Sequence, residues 1–261
     1  MNDALNKYAV FLDIDGTLLT DSYTPPRENI ETIKEVRKAG HKVFINTGRS
    51  LGNIPDELMY YIGKFDGIIS GNGSHIVIDG KTVYCKSYPA ELLERVTRYF
   101  LNDKERDCVF EGVDCILYTG EEKEWFTRLD GRVTSPEDFR TKYKDKIISV
   151  VAGIGTMTDE FKEMFRDEIS VFQFNGFADC VVKGCDKAKA MDIVLEKLNI
   201  PLKNSIAIGD NINDYPMISH AGIGIAMGNS SDELLKLWSE TTDTNFNCGV
   251  AKALKKYLLK P

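Results

Sequence analysis

The sequence lacks the features that mark several classes of protein. No apolar run approaches the ~20 residues that a membrane-spanning helix requires, and the polar residues 1–7 do not resemble a signal peptide. An excess of positive charge is also missing, because 33 Lys and Arg stand against 40 Asp and Glu, for a formal net charge of −7. We therefore expect a soluble, cytoplasmic protein that binds neither membranes nor nucleic acid in general, although a local cation could still attract an anionic substrate.

Cysteine and histidine are too few and too scattered to indicate a zinc site. None of the six cysteines forms a C-x-x-C pair, and the three histidines lie near no cysteine pair. We expect the thiols to be reduced and buried. In contrast, 43% hydrophobic residues are enough for a substantial core. The length of 261 residues fits one large domain or a domain with an insert.

Strands and helices alternate at both ends of the chain. Short apolar runs predict buried strands of a parallel sheet, with helical patterns between them, at residues 8–12, 43–45 and 68–69. An Asp-Gly hairpin signal at 79–80 ends this rhythm, and the alternation resumes with a predicted helix over 187–198. We predict a doubly wound, Rossmann-like α/β core formed by residues 1–85 and 183–261, with an inserted α+β domain at 86–182.

Two carboxylates follow the first predicted strand, in the segment Asp-Ile-Asp-Gly-Thr at 13–17. Residues two apart on a strand share a face, so Asp13 and Asp15 are predicted to point at the same spot. Such a pair requires a cation or a proton, and one member could act as nucleophile while the other works as general acid and base. A chance turn is the alternative. A calcium loop fits poorly, because its twelfth position would be Thr24 instead of glutamate.

A hydroxyl and backbone N–H groups follow the second predicted strand, in Asn-Thr-Gly-Arg at 46–49. At the start of a helix, Thr47 and the Gly48 N–H could form an anion cradle. An ordinary N-cap and loop is the alternative reading.

Acidic and amide side chains cluster after a later predicted strand, in Gly-Asp-Asn-Ile-Asn-Asp at 209–214. The carboxylates of Asp210 and Asp214 and the side-chain amides of Asn211 and Asn213 offer oxygen ligands of the kind that Mg²⁺ prefers. A capped turn with solvated acids is the alternative, and Ile212 at the third position argues against a calcium loop.

Lys187 opens the predicted helix that leads into that strand. The helix dipole disfavours a lysine there, so an anionic partner would explain it, although a surface lysine is the simpler reading. Gly-Asn-Gly at 71–73 lacks a dinucleotide-binding pattern and is interpreted as a plain turn. Taken together, the two carboxylates, the hydroxyl, the lysine and the acidic loop indicate phosphoryl transfer.

In this arrangement the sequence resembles the haloacid dehalogenase superfamily, in its Cof-type phosphatase branch with a large, C2-type cap. The four motifs of that family match residues 11–17, 46–49, 183–187 and 209–214, and the resemblance covers nearly the whole chain. Two departures concern the third motif, where Ala188 replaces a common glycine and an upstream proline is missing. They bear on the local loop shape and not on the chemistry.

The resemblance implies a role for each matching residue. Asp13 would be the nucleophile that forms an aspartyl-phosphate, and Asp15 would be the general acid and base. Mg²⁺ would lie between Asp13, Asp15 and Asp210, with Asp214 supporting it directly or through water. The phosphate would be held by the remaining matching residues, namely Thr47, Gly48, Lys187 and Asn213. The cap, residues 86–182, would close over the substrate and determine specificity.

The resemblance also implies the function: a Mg²⁺-dependent phosphomonoester hydrolase that acts on small phosphorylated metabolites. Sugar phosphates are the usual class for relatives, followed by flavin and pyridoxal phosphates. Two alternatives remain, a phosphosugar mutase and a non-catalytic sensor of a phosphorylated ligand. Mutases would isomerise a sugar phosphate and release little free phosphate. A sensor would be expected to have lost Asp13 or Asp15, yet both are present.

Overall fold

The computed structural model describes residues 7–20, 24–56, 58, 60, 65–121 and 128–259. The chain divides into two compact units. The core unit consists of Met1–Thr47, Pro55–Val83 and Asp186–Pro261. The insert unit consists of Tyr84–Cys185 and also of Gly48–Ile54, a short segment that the sequence assigned to the core.

Strands and helices alternate through the core, and strands dominate the insert. The strands are β1 (Ala9–Leu12), β2 (Lys42–Asn46), β3 (Gly67–Ser70), β4 (His75–Ile78), β5 (Lys81–Cys85), β6 (Cys108–Gly112), β7 (Ile116–Tyr118), β8 (Gly131–Arg132), β9 (Ile148–Ile154), β10 (Ile169–Gln173), β11 (Phe177–Val182), β12 (Ser205–Gly209) and β13 (Ile223–Ala226). The α-helices are α1 (Arg27–Lys38), α2 (Ala90–Asn102), α3 (Asp159–Met164), α4 (Lys187–Leu198), α5 (Tyr215–His220), α6 (Asp232–Leu237) and α7 (Gly249–Leu258).

A mostly parallel sheet organises the core, in the order β13-β12-β1-β2-β3-β4-β5. Its five strands from β13 to β3 pair in parallel. The four residues of β1 are fully buried, as expected of a strand covered on both faces. The predicted α/β class is therefore confirmed. The sheet is not parallel throughout, because β4 pairs antiparallel with β3.

The hairpin that ends the parallel part of the sheet follows from its turn residues. Asp79 and Gly80 both have positive φ, 49° and 75°, which is the backbone that a tight two-residue hairpin requires. Aspartate and glycine tolerate this conformation better than other residues. The Asp-Gly signal thus predicted the turn between β4 and β5 correctly.

Helix α1 shows how the helices cover the sheet. Ile33 and Val36 lie on its buried face, with Asn29 beside them. The Asn29 side-chain oxygen accepts the Ala251 N–H at 2.9 Å, which ties α1 to α7. Burial of two branched side chains contributes about 3–6 kcal/mol before the cost in conformational entropy.

The insert unit has its own sheet and its own core. Its strand order is β10-β11-β9-β6-β7-β8, and the pairs from β10 to β7 are antiparallel. Helix α2 buries Leu92, Leu93 and Val96 in the same apolar cluster as Phe110 and Phe161. This mixture of paired strands and helices is of the α+β type that the sequence predicted.

The accuracy with which individual helices and strands were predicted depends on the strength of their sequence patterns. Helix α4 begins and ends at the predicted residues. Strand β8 and helix α6 were not predicted because each is too short for a periodic pattern. The helix predicted after residues 46–49 was given no end, and residues 57, 59 and 61–64 of the segment that follows lie outside the described residues. None of the described helices has the length and apolar character needed to cross a membrane.

Candidate active site

The carboxyl ends of three neighbouring strands bring the candidate residues together. Asp13 directly follows β1, Thr47 follows β2, and Asp210 follows β12. These strands are adjacent in the order β12-β1-β2 and run in parallel. Open α/β sheets bind ligands at this edge, because the loops that leave neighbouring strands converge there.

Lys187, the first residue of α4, points into this edge. Its side chain is completely buried, with Nζ 2.7 Å from Asp13 Oδ1 and 2.5 Å from Asp214 Oδ1. The start of the helix is fixed by Asp186, whose carboxylate accepts the Lys189 N–H at 2.8 Å. The buried ammonium therefore has the anionic partners that its position at a helix N-terminus requires.

Three carboxylates face one another around the lysine. Oxygens of Asp13, Asp210 and Asp214 all lie within 4.8 Å of one another. Two glycines make the approach possible, since a Cβ on Gly16 would overlap the Asp210 carboxylate and a Cβ on Gly209 would overlap that of Asp214. Gly16 also has a φ of 74°, which other residues adopt only with strain.

The loop after β12 holds its carboxylates by local hydrogen bonds. Asp214 Oδ2 accepts the N–H groups of Asp210 and Asn211 at 2.9 and 3.0 Å. Thr17 donates its hydroxyl to Asp210 Oδ1 at 2.9 Å, which links this loop to the turn after β1. Both oxygens of Asp214 are therefore bound within the protein, whereas Asp210 accepts from Thr17 on one oxygen.

Burial and mutual repulsion change the acidity of the cluster. Burial raises the pKa of Asp13 to about 7, although Lys187 opposes the shift. Burial and the neighbouring carboxylates of Asp214 and Asp13 raise the pKa of Asp210 to about 8. Burial alone would lower the pKa of Lys187, but its two carboxylate partners outweigh this and raise it. Three acids around one ammonium thus leave an excess of negative charge that protons or a further cation must balance.

Asp15 lies differently from the sequence expectation. Strand β1 ends at Leu12, residues 14 and 16–18 form turns, and Asp15 makes only an isolated bridge with Leu19, so the two-residue alternation of a strand does not apply to Asp13 and Asp15. Asp13 is buried, whereas Asp15 is exposed. The two remain close enough for Asp15 to contribute to the raised pKa of Asp13. The geometry gives the pair one buried and one accessible carboxylate.

Two further predicted residues line the same edge. Thr47 is buried and donates its N–H to the Ile69 carbonyl at 2.9 Å. Asn213 donates its side-chain N–H to Asn72 Oδ1 at 3.1 Å. Gly48, the remaining predicted residue, belongs to the insert unit, and its contact with a phosphate stays a prediction.

Asn72 is a residue that sequence reasoning left out, because Gly-Asn-Gly at 71–73 was interpreted as a plain turn. It is fully buried, and its N–H donates to the Thr47 carbonyl at 3.0 Å. The available signal was its position, since the turn follows β3 at the same edge of the sheet. An asparagine between two glycines suits a backbone of positive φ, which Asn72 has at 49°.

This fold and these motifs have clear counterparts among known proteins. The family model for haloacid dehalogenase-like hydrolases matches residues 10–254. The chain belongs to this family, and the resemblance to its Cof-type phosphatases is confirmed.

The relatives are phosphatases of similar length. Two proteins from Bacillus subtilis strain 168, YitU and YcsE, are named 5-amino-6-(5-phospho-D-ribitylamino)uracil phosphatase. YitU is 25% identical, and the match covers 96% of this chain and 97% of YitU. YcsE is 28% identical, and the match covers 96% of this chain and 95% of YcsE. The solved structure of BT4131, described as a subclass IIB sugar phosphatase, has a TM-score of 0.83 and 26% identity, covering 96% of this chain and 99% of its own. The chain is therefore a phosphatase of the haloacid dehalogenase-like family.

Proposed function

We propose that the protein is a Mg²⁺-dependent phosphomonoester hydrolase that works through an aspartyl-phosphate on Asp13. The observation that carries the proposal is the buried contact of Asp13 with Lys187, 2.7 Å long, beside two further carboxylates. A lone aspartate at this edge could serve many purposes. An aspartate held next to a buried ammonium and an acidic cluster fits attack on a phosphate, whose negative charge the site must neutralise.

The donor set fits Mg²⁺, a hard cation that prefers oxygen ligands. Asp13 and Asp210 carry raised pKa values of about 7 and about 8 without a cation, so a divalent ion would relieve the repulsion between them. We assign the metal to Asp13, Asp210 and the main-chain carbonyl of Asp15. Because Asp214 already binds Lys187 and two loop N–H groups, we expect it to support the metal through a water molecule and not as a direct ligand. When bound, Mg²⁺ supplies charge neutralisation for the transferring phosphoryl group.

Asp13 and Asp15 divide the chemistry between them. A carboxylate oxygen of Asp13 attacks the phosphorus in line, the bond from phosphorus to the ester oxygen breaks, and Asp15 donates a proton to the departing alcohol. Asp15 then takes a proton from water, which attacks the phosphorus of the aspartyl-phosphate and releases phosphate and free Asp13. The accessible position of Asp15 supports this exchange of protons with substrate and water.

The remaining predicted residues would hold the phosphate. The Lys187 ammonium neutralises part of its charge, and the Thr47 hydroxyl, the Asn213 amide and the Gly48 N–H donate hydrogen bonds to its oxygens. The burial of Thr47 and Asn213 at the edge where Asp13 lies supports this assignment for both side chains.

We propose small phosphorylated metabolites, and sugar or polyol phosphates first, as substrates. The ribityl group in the relatives' names and the description of BT4131 as a sugar phosphatase support this class. Specificity is assigned to the inserted domain, predicted as residues 86–182. A cytoplasmic location and the lack of nucleic-acid and membrane partners stay predictions.

Phosphate release tests the proposal. The purified protein is given a panel of sugar phosphates, nucleotides, flavin mononucleotide and pyridoxal phosphate, with Mg²⁺ or with a chelator. Release should require both Mg²⁺ and Asp13, so that Asp13→Asn folds normally and is inactive. Activity in Asp13→Asn would refute the mechanism. Isomerisation of a sugar phosphate without release would favour a mutase.

A further inference from the structure

We propose that Asn72 is a positioning residue of the phosphate site, which aims the side-chain amide of Asn213 at the phosphate. The inference rests on the proposed function, because that function assigns Asn213 to the phosphate. Asn72 itself touches neither substrate nor metal in this account. It acts through the hydrogen bond from Asn213 Nδ2 to Asn72 Oδ1, 3.1 Å long.

This hydrogen bond is buried at both ends. Asn72 has no exposed surface, and Asn213 is 8% exposed. A buried hydrogen bond of this kind is costly to break, because the amide left behind loses a partner that water cannot replace. Asn213 sits in the short turn Ile212–Asp214 just before α5, and the contact with Asn72 fixes its side chain from outside that turn.

The planarity of an amide makes the contact directional. Asn213 Nδ2 carries two hydrogens in a rigid plane, and the hydrogen bond to Asn72 uses one of them. The direction of the second hydrogen is then determined. A phosphate oxygen needs a donor, and an amide held in place donates to it without losing the rotational freedom that a free side chain would lose.

The backbone around Asn72 is itself held against the motif residues. Its N–H donates to the Thr47 carbonyl at 3.0 Å. A Cβ on Gly73 would overlap the carbonyl of Asp186, so the turn packs directly against the residue that precedes Lys187. The turn Gly71–Gly73 therefore contacts the backbone or side chains of three separate motif segments.

Asparagine suits this position for two physical reasons. Its φ of 49° lies in the left-handed region, which asparagine tolerates better than most residues. Its side-chain oxygen accepts a hydrogen bond while the group stays neutral. Aspartate would add another carboxylate to an edge where Asp13, Asp210 and Asp214 already repel one another.

A double-mutant cycle tests the proposal with Asn72→Gly, Asn213→Ala and the double variant, each with Mg²⁺. Glycine keeps the left-handed backbone without strain and removes only the side chain. The single Asn72→Gly change should lower kcat/KM by about 10- to 100-fold and weaken binding of inorganic phosphate, measured by calorimetry, by about 5- to 10-fold. In the Asn213→Ala background, the same change should alter neither quantity by more than about twofold.

Asn199→Gly is the matched control. Asn199 also has a positive φ, 53°, but it is exposed at the far end of α4, about 18 Å along the helix from Lys187. Its replacement should leave kcat/KM and phosphate binding unchanged. Proton exchange of the Asn213 side-chain amide is measured by NMR in the wild type, so this test does not depend on whether the variants fold. Slow exchange is expected, and exchange as fast as in an exposed asparagine would overturn the proposal.

The outcomes separate the inference from the proposed function. If the wild type releases phosphate and the losses in kcat/KM and phosphate affinity of the two single variants simply add in the double variant, Asn72 does not act through Asn213. The inference then fails while the proposed function stands. If no compound is hydrolysed, the proposed function fails, and the calorimetric cycle still decides the inference from phosphate binding. A wild type that neither hydrolyses any compound nor binds phosphate overturns both.

Discussion

Replacing Lys187 by methionine should destabilise the core unit strongly, because it removes the only ammonium that contacts two carboxylates in the described cluster. At 2.7 Å and an effective dielectric constant of about 20, a unit pair interacts by about 6 kcal/mol. The cost of desolvating the buried charges offsets most of the summed Coulomb energy of the two contacts that Lys187 makes. Loss of one partner from a buried ionic cluster typically leaves a net penalty of about 3–5 kcal/mol, and this is the loss in the free energy of unfolding that we expect for Lys187→Met.

Urea denaturation in the presence of a chelator, at about pH 8, measures this loss. Trp125 and Trp238 are the two tryptophans of the sequence, so a Trp125→Phe background leaves the fluorescence of Trp238 to report on the core. Lys189→Met is the matched control, since that lysine lies two residues further along α4 and pairs with Asp186, yet its side chain is 63% exposed. The control should lose less than about 1 kcal/mol.

The pH dependence of the loss provides a second check on the same reasoning. Without its cation, the cluster can regain neutrality only by taking up protons, so the penalty for Lys187→Met should be smaller at about pH 5.5 than at about pH 8. A loss no greater than that of the exposed control, or a loss that does not change with pH, would refute the account of Lys187 as the charge that holds the carboxylates together.

The remaining predictions concern the same cluster. The pKa values of Asp13 and Asp210 are raised to about 7 and about 8 in the folded state, so the metal-free protein should become less stable as the pH rises from about 4 to about 8. Added Mg²⁺ should therefore raise the melting temperature more at pH 8 than at pH 6. An equal increase in melting temperature at both pH values would contradict this. Gly16→Ala should weaken Mg²⁺ binding by about 10- to 100-fold, measured by calorimetry, because its Cβ would displace the Asp210 carboxylate. Gly80→Ala introduces the same backbone strain, but its Cβ would meet no other atom within 4 Å, so this control should leave Mg²⁺ binding unchanged. A similar loss of Mg²⁺ affinity in both variants would assign the effect to backbone strain alone.

The fold was predictable where the pattern of apolar residues is local and strong. The helix over 187–198 and the parallel strands follow from periodicities of 3.6 residues and from short, continuous apolar runs. The antiparallel continuation of the sheet was harder to foresee. The turn at Asp79 and Gly80 was evident, but a hairpin signal does not say which sheet its strands will join.

The site was less predictable, because its contacts join distant parts of the chain. Lys187 and Asp13 are 174 residues apart, and only the topology of the sheet brings them together. The strand rule failed for Asp13 and Asp15 because β1 ends one residue before the pair. Asn72 was missed for a similar reason, since its function depends on a partner 141 residues away.

A phosphorylated Asp13, trapped during turnover, would demonstrate the covalent mechanism. The protein is mixed with Mg²⁺ and a substrate that it hydrolyses, quenched in acid within a single turnover, and digested for mass spectrometry. We expect one added phosphoryl group on the peptide that contains Asp13, and we expect it to be absent when chelator replaces Mg²⁺ and absent in Asp13→Asn. Hydrolysis that proceeds with no phosphorylated enzyme at any time point, or with the phosphoryl group on another residue, would contradict it.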